Sequence, residues 1–106
     1  MNTIAELNDR FRQGDMTLGQ YVITPGVQAL APDKLTQLIR LVRDFDQFTS
    51  NNDPYKEHDF GLVTLDSNEF FWKIDYYDPS LTRHSDDRSS PNATRRVMTI
   101  MRSDEY

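Results

Sequence analysis

The sequence predicts an α+β domain, with two N-terminal helices packed on one face of a small antiparallel β-sheet. Three observations carry that expectation. Apolar residues recur at helical spacing through the first third of the chain and beyond. From Phe60 onward the period falls to two. Phe60, Phe70, Phe71, Trp72, Tyr76 and Tyr77 then lie within eighteen positions, which places the core in that segment. At 106 residues the chain suits one domain spanning 1–106, enough to bury a modest core.

Thr3 to Arg12 reads as the first helix. Thr3 and Glu6 have capping-box spacing, Ile4, Leu7 and Phe11 share a face, and Gly14 is the stop. Tyr21 to Thr24 is short and β-prone, closed by a Pro25-Gly26 turn. Pro32 opens the second helix, with Asp33 at the positive end of its dipole. Leu35, Leu38, Ile39, Val42 and Phe45 keep its apolar face, and the segment Ser50 to Pro54 cannot continue it. Phe60 to Leu65, a turn at Asp66-Ser67-Asn68, and Phe70 to Tyr77 read as a β-hairpin. Phe70, Trp72, Ile74 and Tyr76 should face the helices, while Phe71, Lys73, Asp75 and Tyr77 face the other way. Arg95 to Arg102 is a third strand of this group, both of whose faces should be partly covered. Between these strands, residues 78–93 have little apolar content and read either as a mobile loop or as a binding loop.

Composition narrows the chemistry. The chain contains no cysteine, which excludes disulfides, Cys-ligated zinc, iron–sulfur clusters and thiol nucleophiles. Neither a membrane-length apolar run nor a signal peptide is present, so a cytoplasmic location without membrane contact is expected. Mean hydropathy is low, −0.72, but aromatic residues make up 11% and argue against disorder.

The net charge of −5 is unevenly placed. Residues 44–78 hold nine acids and two bases, while each flank carries four acids and five bases. Such a segment suits docking on a basic surface, such as that of a host protein or nucleoprotein complex. Asp53, Glu57, Asp66, Glu69 and Asp78 are the candidate partner-binding carboxylates, with Tyr55, Phe71 and Tyr77 as aromatic anchors. The alternative is that these carboxylates point to water in different directions. Direct nucleic-acid binding is disfavoured by the charge balance. The exception would be a DNA-binding regulator using Arg95 and Arg96, a pair that reads more naturally as partners of neighbouring acids.

One constellation could carry catalysis. His58 and Asp59 enter the first hairpin strand and Lys73 and Asp75 share a face of the second, so strand pairing could assemble a general base beside a tuned lysine. A polar network stabilising the hairpin is the competing reading. His84, Asp86 and Asp87 lack a second His to complete a transition-metal site, and no metal or cofactor is expected.

Several blocks resemble a known pattern. They are Asn52-Asp53-Pro54-Tyr55, Glu57-His58-Asp59-Phe60-Gly61, the run from Phe71 to Asp78, the run from Thr94 to Met101, and Glu105-Tyr106. Leu7-Asn8-Asp9 and Thr24-Pro25-Gly26-Val27 belong with them. Together they resemble a family of small uncharacterised bacterial proteins, a domain of unknown function carried on alphaproteobacterial plasmids, integrative elements and phage. The charge-rich loop from Arg83 to Ser90 departs from that pattern. No catalytic residue follows from the resemblance. It implies a mobile-element setting, in which small proteins disarm host defence. The expected function is therefore a non-enzymatic inhibitor of anti-CRISPR or anti-restriction type, which occludes a nucleic-acid-binding partner with an acidic and aromatic surface. The alternative is a small enzyme or ligand-binding domain built on His58, Asp59, Lys73 and Asp75.

Overall fold

Amphipathic spacing builds the first element: Ala5, Leu7, Asn8, Phe11 and Arg12 form the buried stripe of helix α1, Thr3–Arg12. The computed structural model describes residues 3–106. Strand β1 is Gly19–Ile23, and Pro25–Gln28 closes into a single helical turn, α2, where a simple turn was expected. Helix α3, Pro32–Arg43, has proline in its first turn, Asp33 near its N-terminus, and Arg40 and Arg43 in its last turn. It ends before Phe45, which belongs to the irregular segment 44–59 but still packs on the core.

Strands β2 (Phe60–Leu65), β3 (Asn68–Tyr77) and β4 (Arg95–Arg102) form the antiparallel meander read from the sequence. The β2–β3 turn is tighter than expected. Only Asp66 and Ser67 lie between the strands, at φ 51° and 67°, as a type I′ hairpin requires. The sheet is mixed rather than wholly antiparallel. Its order is β1-β4-β3-β2, and β1 runs parallel to β4, from Gly19 opposite Arg96 to Ile23 opposite Ile100. Alternation reveals which face a side chain takes but not the direction in which a distant strand is joined, so the sequence could not show this.

The three α-helices of the described residues lie on one side. Leu7 and Phe11 of α1, Val27 of α2, and Leu38 and Val42 of α3 pack with Val63, Phe70, Trp72, Ile74, Met98 and Ile100. Trp72 is fully enclosed, its ring 5.5 Å from that of Phe45 and 5.2 Å from the Arg12 guanidinium. The register puts Phe60, Leu62 and Thr64, then Phe71, Lys73 and Asp75, then Val97, Thr99 and Met101, on the opposite, helix-free face. There Met101 is buried beside Phe71, as the mixed alternation of β4 suggested. A 3₁₀ turn, Ser103–Glu105, closes the chain against the start of α2. The Glu105 carboxylate accepts from the Thr24 hydroxyl at 2.7 Å, the Gly26 amide at 2.9 Å and the Arg102 amide at 2.9 Å. Among the described residues, no helix is long and apolar enough to cross a membrane.

Candidate functional site

The polar groups of the fold gather at the end of the sheet where β2 begins and β3 finishes. Arg96 sits in phase with Met98 and Ile100, so its side chain enters the core and is fully buried. It finds no carboxylate there. Its Nε donates to Asn8 Oδ1 at 2.7 Å, one terminal nitrogen donates to the Arg88 carbonyl, and the guanidinium lies over the Tyr76 ring. Burial pushes the Arg96 pKa down. The expectation that Arg96 pairs with neighbouring acids is thus corrected. It is held by a carboxamide and a carbonyl, and it is not available to phosphate. Arg95 lies on the helix-free face, 3.3 Å from the Thr17 carbonyl.

Asn8 is the junction of this network. Its Nδ2 donates to the Tyr76 hydroxyl and to the Glu57 carbonyl, each at 2.8 Å. Tyr76 in turn donates to Glu57 Oε1 at 3.1 Å, and Arg88 donates to the same oxygen at 2.8 Å. Burial pushes the Tyr76 phenol pKa up, so it remains a donor. Asp59 lies alongside. Burial, then the neighbouring Glu57 and Asp53 carboxylates, hold its carboxyl above the usual range.

Asp53 is buried and serves the backbone. It accepts from the amides of Glu57 at 3.0 Å and His58 at 3.2 Å, across a turn in which Lys56 and His58 both have φ of 57°. His58 is bracketed. Its Nδ1 meets both oxygens of Asp9 at 2.9 and 3.0 Å, its Nε2 lies 3.6 Å from Asp53, and its ring stacks on Phe48 at 3.9 Å. Arg12, also buried, shares Asp9 at 3.0 Å and donates to the Phe45 carbonyl. An open cavity of about 460 Å³ flanks one side of this stack, between Arg12, Arg43 and Asp46, and one of about 290 Å³ flanks the other.

The four residues of the suggested catalytic site are divided. His58 and Asp59 lie on the helix side, where both His58 nitrogens already face carboxylates. Lys73 and Asp75 are 3.3 Å from each other on the helix-free face. The sheet stands between the two pairs, so the hairpin does not assemble one site.

The partner-binding candidates also separate. Asp53 and Glu57 turn inward, as described, whereas Tyr55 is exposed. Asp66 stands at the hairpin tip, paired with Lys34 at 2.7 Å, and Glu69 follows it on the helix-free face. Asp78 caps the next loop. The Thr82 amide, its strongest partner, and then the Ser80 hydroxyl and Arg83 amide, hold its carboxyl below the usual range. Phe71 and Tyr77 do share the helix-free face. There Phe71, Phe60 and Tyr106 form a ring cluster with centroids 5.2 to 6.0 Å apart. Tyr77 stacks on His84 at 5.8 Å, at the isolated bridge that ties the 78–93 loop to β3. Among the described residues, no group of three His, Cys, Asp or Glu side chains is placed to hold a metal ion.

Sequence reasoning missed Asn8, Arg12 and Asp9. The signal available was phase: Asn8 and Arg12 lie on the buried stripe of α1, as Arg96 lies on the buried stripe of β4.

The fold and its polar cluster define a small α+β domain with one helix-covered sheet face and one open face. A family model described as "Protein of unknown function (DUF3768)" matches residues 23–105, and the chain belongs to that family. No curated protein and no solved structure matches it.

Proposed function

We propose that the chain is a non-enzymatic protein-binding module. It acts as an inhibitor of anti-CRISPR or anti-restriction type, covering the basic, nucleic-acid-binding surface of a host protein or nucleoprotein complex. The observation that carries this reading is the helix-free face. Phe60 and Phe71 pack there at a tilt, both edge to face with Tyr106, with Glu69 on the same face and Asp75 beside it paired with Lys73. Aromatic residues dominate interface energy, and carboxylates accelerate encounter with a basic partner. Separation of His58 and Asp59 from Lys73 and Asp75 favours binding over a hairpin catalytic site. The resemblance to proteins of mobile elements supports a target in host defence.

Asp53 and Glu57 hold the fold, so charge reversal there does not isolate binding. Phe71→Ser and Glu69→Lys do. Added to purified RNA-guided or restriction nucleases of the host, the protein is expected to block binding of labelled DNA. Phe71→Ser should weaken that block roughly tenfold or more, and Glu69→Lys should slow its onset. Unimpaired inhibition by both folded variants would refute the assignment of the surface, and no inhibition of either nuclease class would refute the function.

A further inference from the structure

The sheet has an unpartnered edge at β2, and the sequence leaves it unprotected. Edge strands normally carry charge, proline or a bulge that discourages pairing with another chain. Strand β2 reads Phe-Gly-Leu-Val-Thr-Leu, without a charge or a proline, and among the described residues its only neighbour is β3.

The phase of the ladder identifies the free groups. The Ile74 amide donates to the Asp59 carbonyl at 2.8 Å, so residues 59 and 74 are a hydrogen-bonded pair. Antiparallel pairs alternate, so Gly61, Val63 and Leu65 turn their amides and carbonyls toward β3. Those of Phe60, Leu62 and Thr64 point out of the sheet. Among the described residues, none of these outward groups has a backbone partner beyond the ladder.

A groove of about 390 Å³ runs beside this edge, between β2 and the end of α3 with the segment after it. Its apolar wall includes Leu41 and Phe45, and Leu41 and Leu62 are 38% and 40% exposed. Its charged residues are Asp44 and Asp46, with no base among the lining. Neither carboxylate makes an ion pair among the described residues.

We infer that β2 and this groove accept an extended segment of a partner protein as a fifth strand, with basic and apolar residues alternating along it. Resting on the protein-binding reading above, this names the segment that the module would grip. Main-chain hydrogen bonds to Phe60, Leu62 and Thr64 supply register, and the two faces supply selectivity. Side chains on the helix side enter the groove, where lysine or arginine lays its stem along Leu41 and Phe45 and its charge against Asp44 and Asp46. Side chains on the other side meet Leu62 and Phe60 and are apolar.

The probe is a capped hexapeptide alternating lysine and valine, compared with one alternating glutamate and valine. Amide NMR of the full chain is expected to show the lysine peptide shifting Phe60, Leu62 and Thr64 and slowing their hydrogen exchange. Leu62→Pro removes an outward donor while leaving the ladder to β3 intact, a substitution tolerated on an edge. It should weaken the lysine peptide roughly tenfold or more, whereas Leu62→Ala, which keeps the donor, should cost less. Asp44→Asn with Asp46→Asn should erase the preference for lysine over glutamate. If Leu62→Pro does not fold, Thr64→Pro replaces it, and exchange protection in the native protein still decides. The inference is overturned by equal binding of the two peptides, by shifts confined to Tyr77 and Arg95, or by sedimentation as a dimer that protects the same amides. Full nuclease inhibition by Leu62→Pro, with Phe71→Ser inactive, would remove the edge and leave the module standing. Loss of neither would remove both.

Discussion

Gly61→Ala should destabilise this protein, although alanine ordinarily improves a strand over glycine by relieving backbone entropy. A Cβ at position 61 would project toward the enclosed indole of Trp72, meeting Nε1 and lying 2.7 Å from Cε2 and 2.8 Å from Cζ2. Carbon atoms rest at about 3.5–4.0 Å, so the ring would have to retreat by about 1 Å. It has nowhere to go, because Phe45, Phe48 and the Arg12 guanidinium close its other sides. Overpacking of this kind costs about 1–3 kcal/mol. With an unfolding entropy of about 2.1 cal/mol/K per residue, a chain of 106 residues should lose about 5–13 °C in Tm. Trp72 is the only tryptophan, so its fluorescence reports both the melting curve and its own displacement. An unchanged or raised Tm with unshifted emission would show that the contact does not constrain the core.

Asn8→Ala removes the acceptor for buried Arg96 and the donor for Tyr76. Stability should fall by about 2–3 kcal/mol in urea denaturation, and adding Arg96→Met should restore part of it, because the stranded cation is then gone. A double variant weaker than Asn8→Ala alone would contradict that origin. Asp59 and Glu105 should give opposite pH trends. The folded pKa of Asp59 lies above 3.8, so its contribution is present when protonated and is lost as pH rises through the folded value. Asp59→Asn should therefore raise Tm at pH 7, with the gain closing as pH falls toward 3.8. Glu105 is lowered from 4.5, chiefly by the Thr24 hydroxyl and then by the Arg102 amide. Glu105→Gln should lower Tm at pH 7, with the deficit shrinking as pH falls below 4.5. Parallel trends in thermal melts at graded pH would refute one of the two assignments.

Local signals explain what was legible. The period of α3 and the alternation of β3 placed Leu38, Val42, Phe70, Trp72 and Ile74 inside because burial imposes those spacings. What stayed hidden depends on partners distant in sequence. The direction of β1 is set by β4, and the partner that receives the buried Arg96 guanidinium is Asn8, 88 residues away. The acidic segment could form one surface or scatter its carboxylates in different directions, because segment charge carries no direction. Asp53 turned inward to cap the turn before His58, and Asp66 went to the far hairpin tip. The resemblance blocks gained a physical meaning: Thr24-Pro25-Gly26 and Glu105 meet through one carboxylate.

The parallel pairing of β1 with β4 also sets an order of assembly. The β2–β3 hairpin closes across Asp66 and Ser67, whereas Gly19 must wait for Arg96. Loop-closure entropy favours the hairpin first, because joining Gly19 to Arg96 closes a far longer loop. Until β1 docks, a half-folded chain bares the far side of β4 and the pocket for the Arg96 guanidinium. The N-terminal quarter of the protein therefore serves as the final seal on a meander that could otherwise join a neighbouring molecule during refolding.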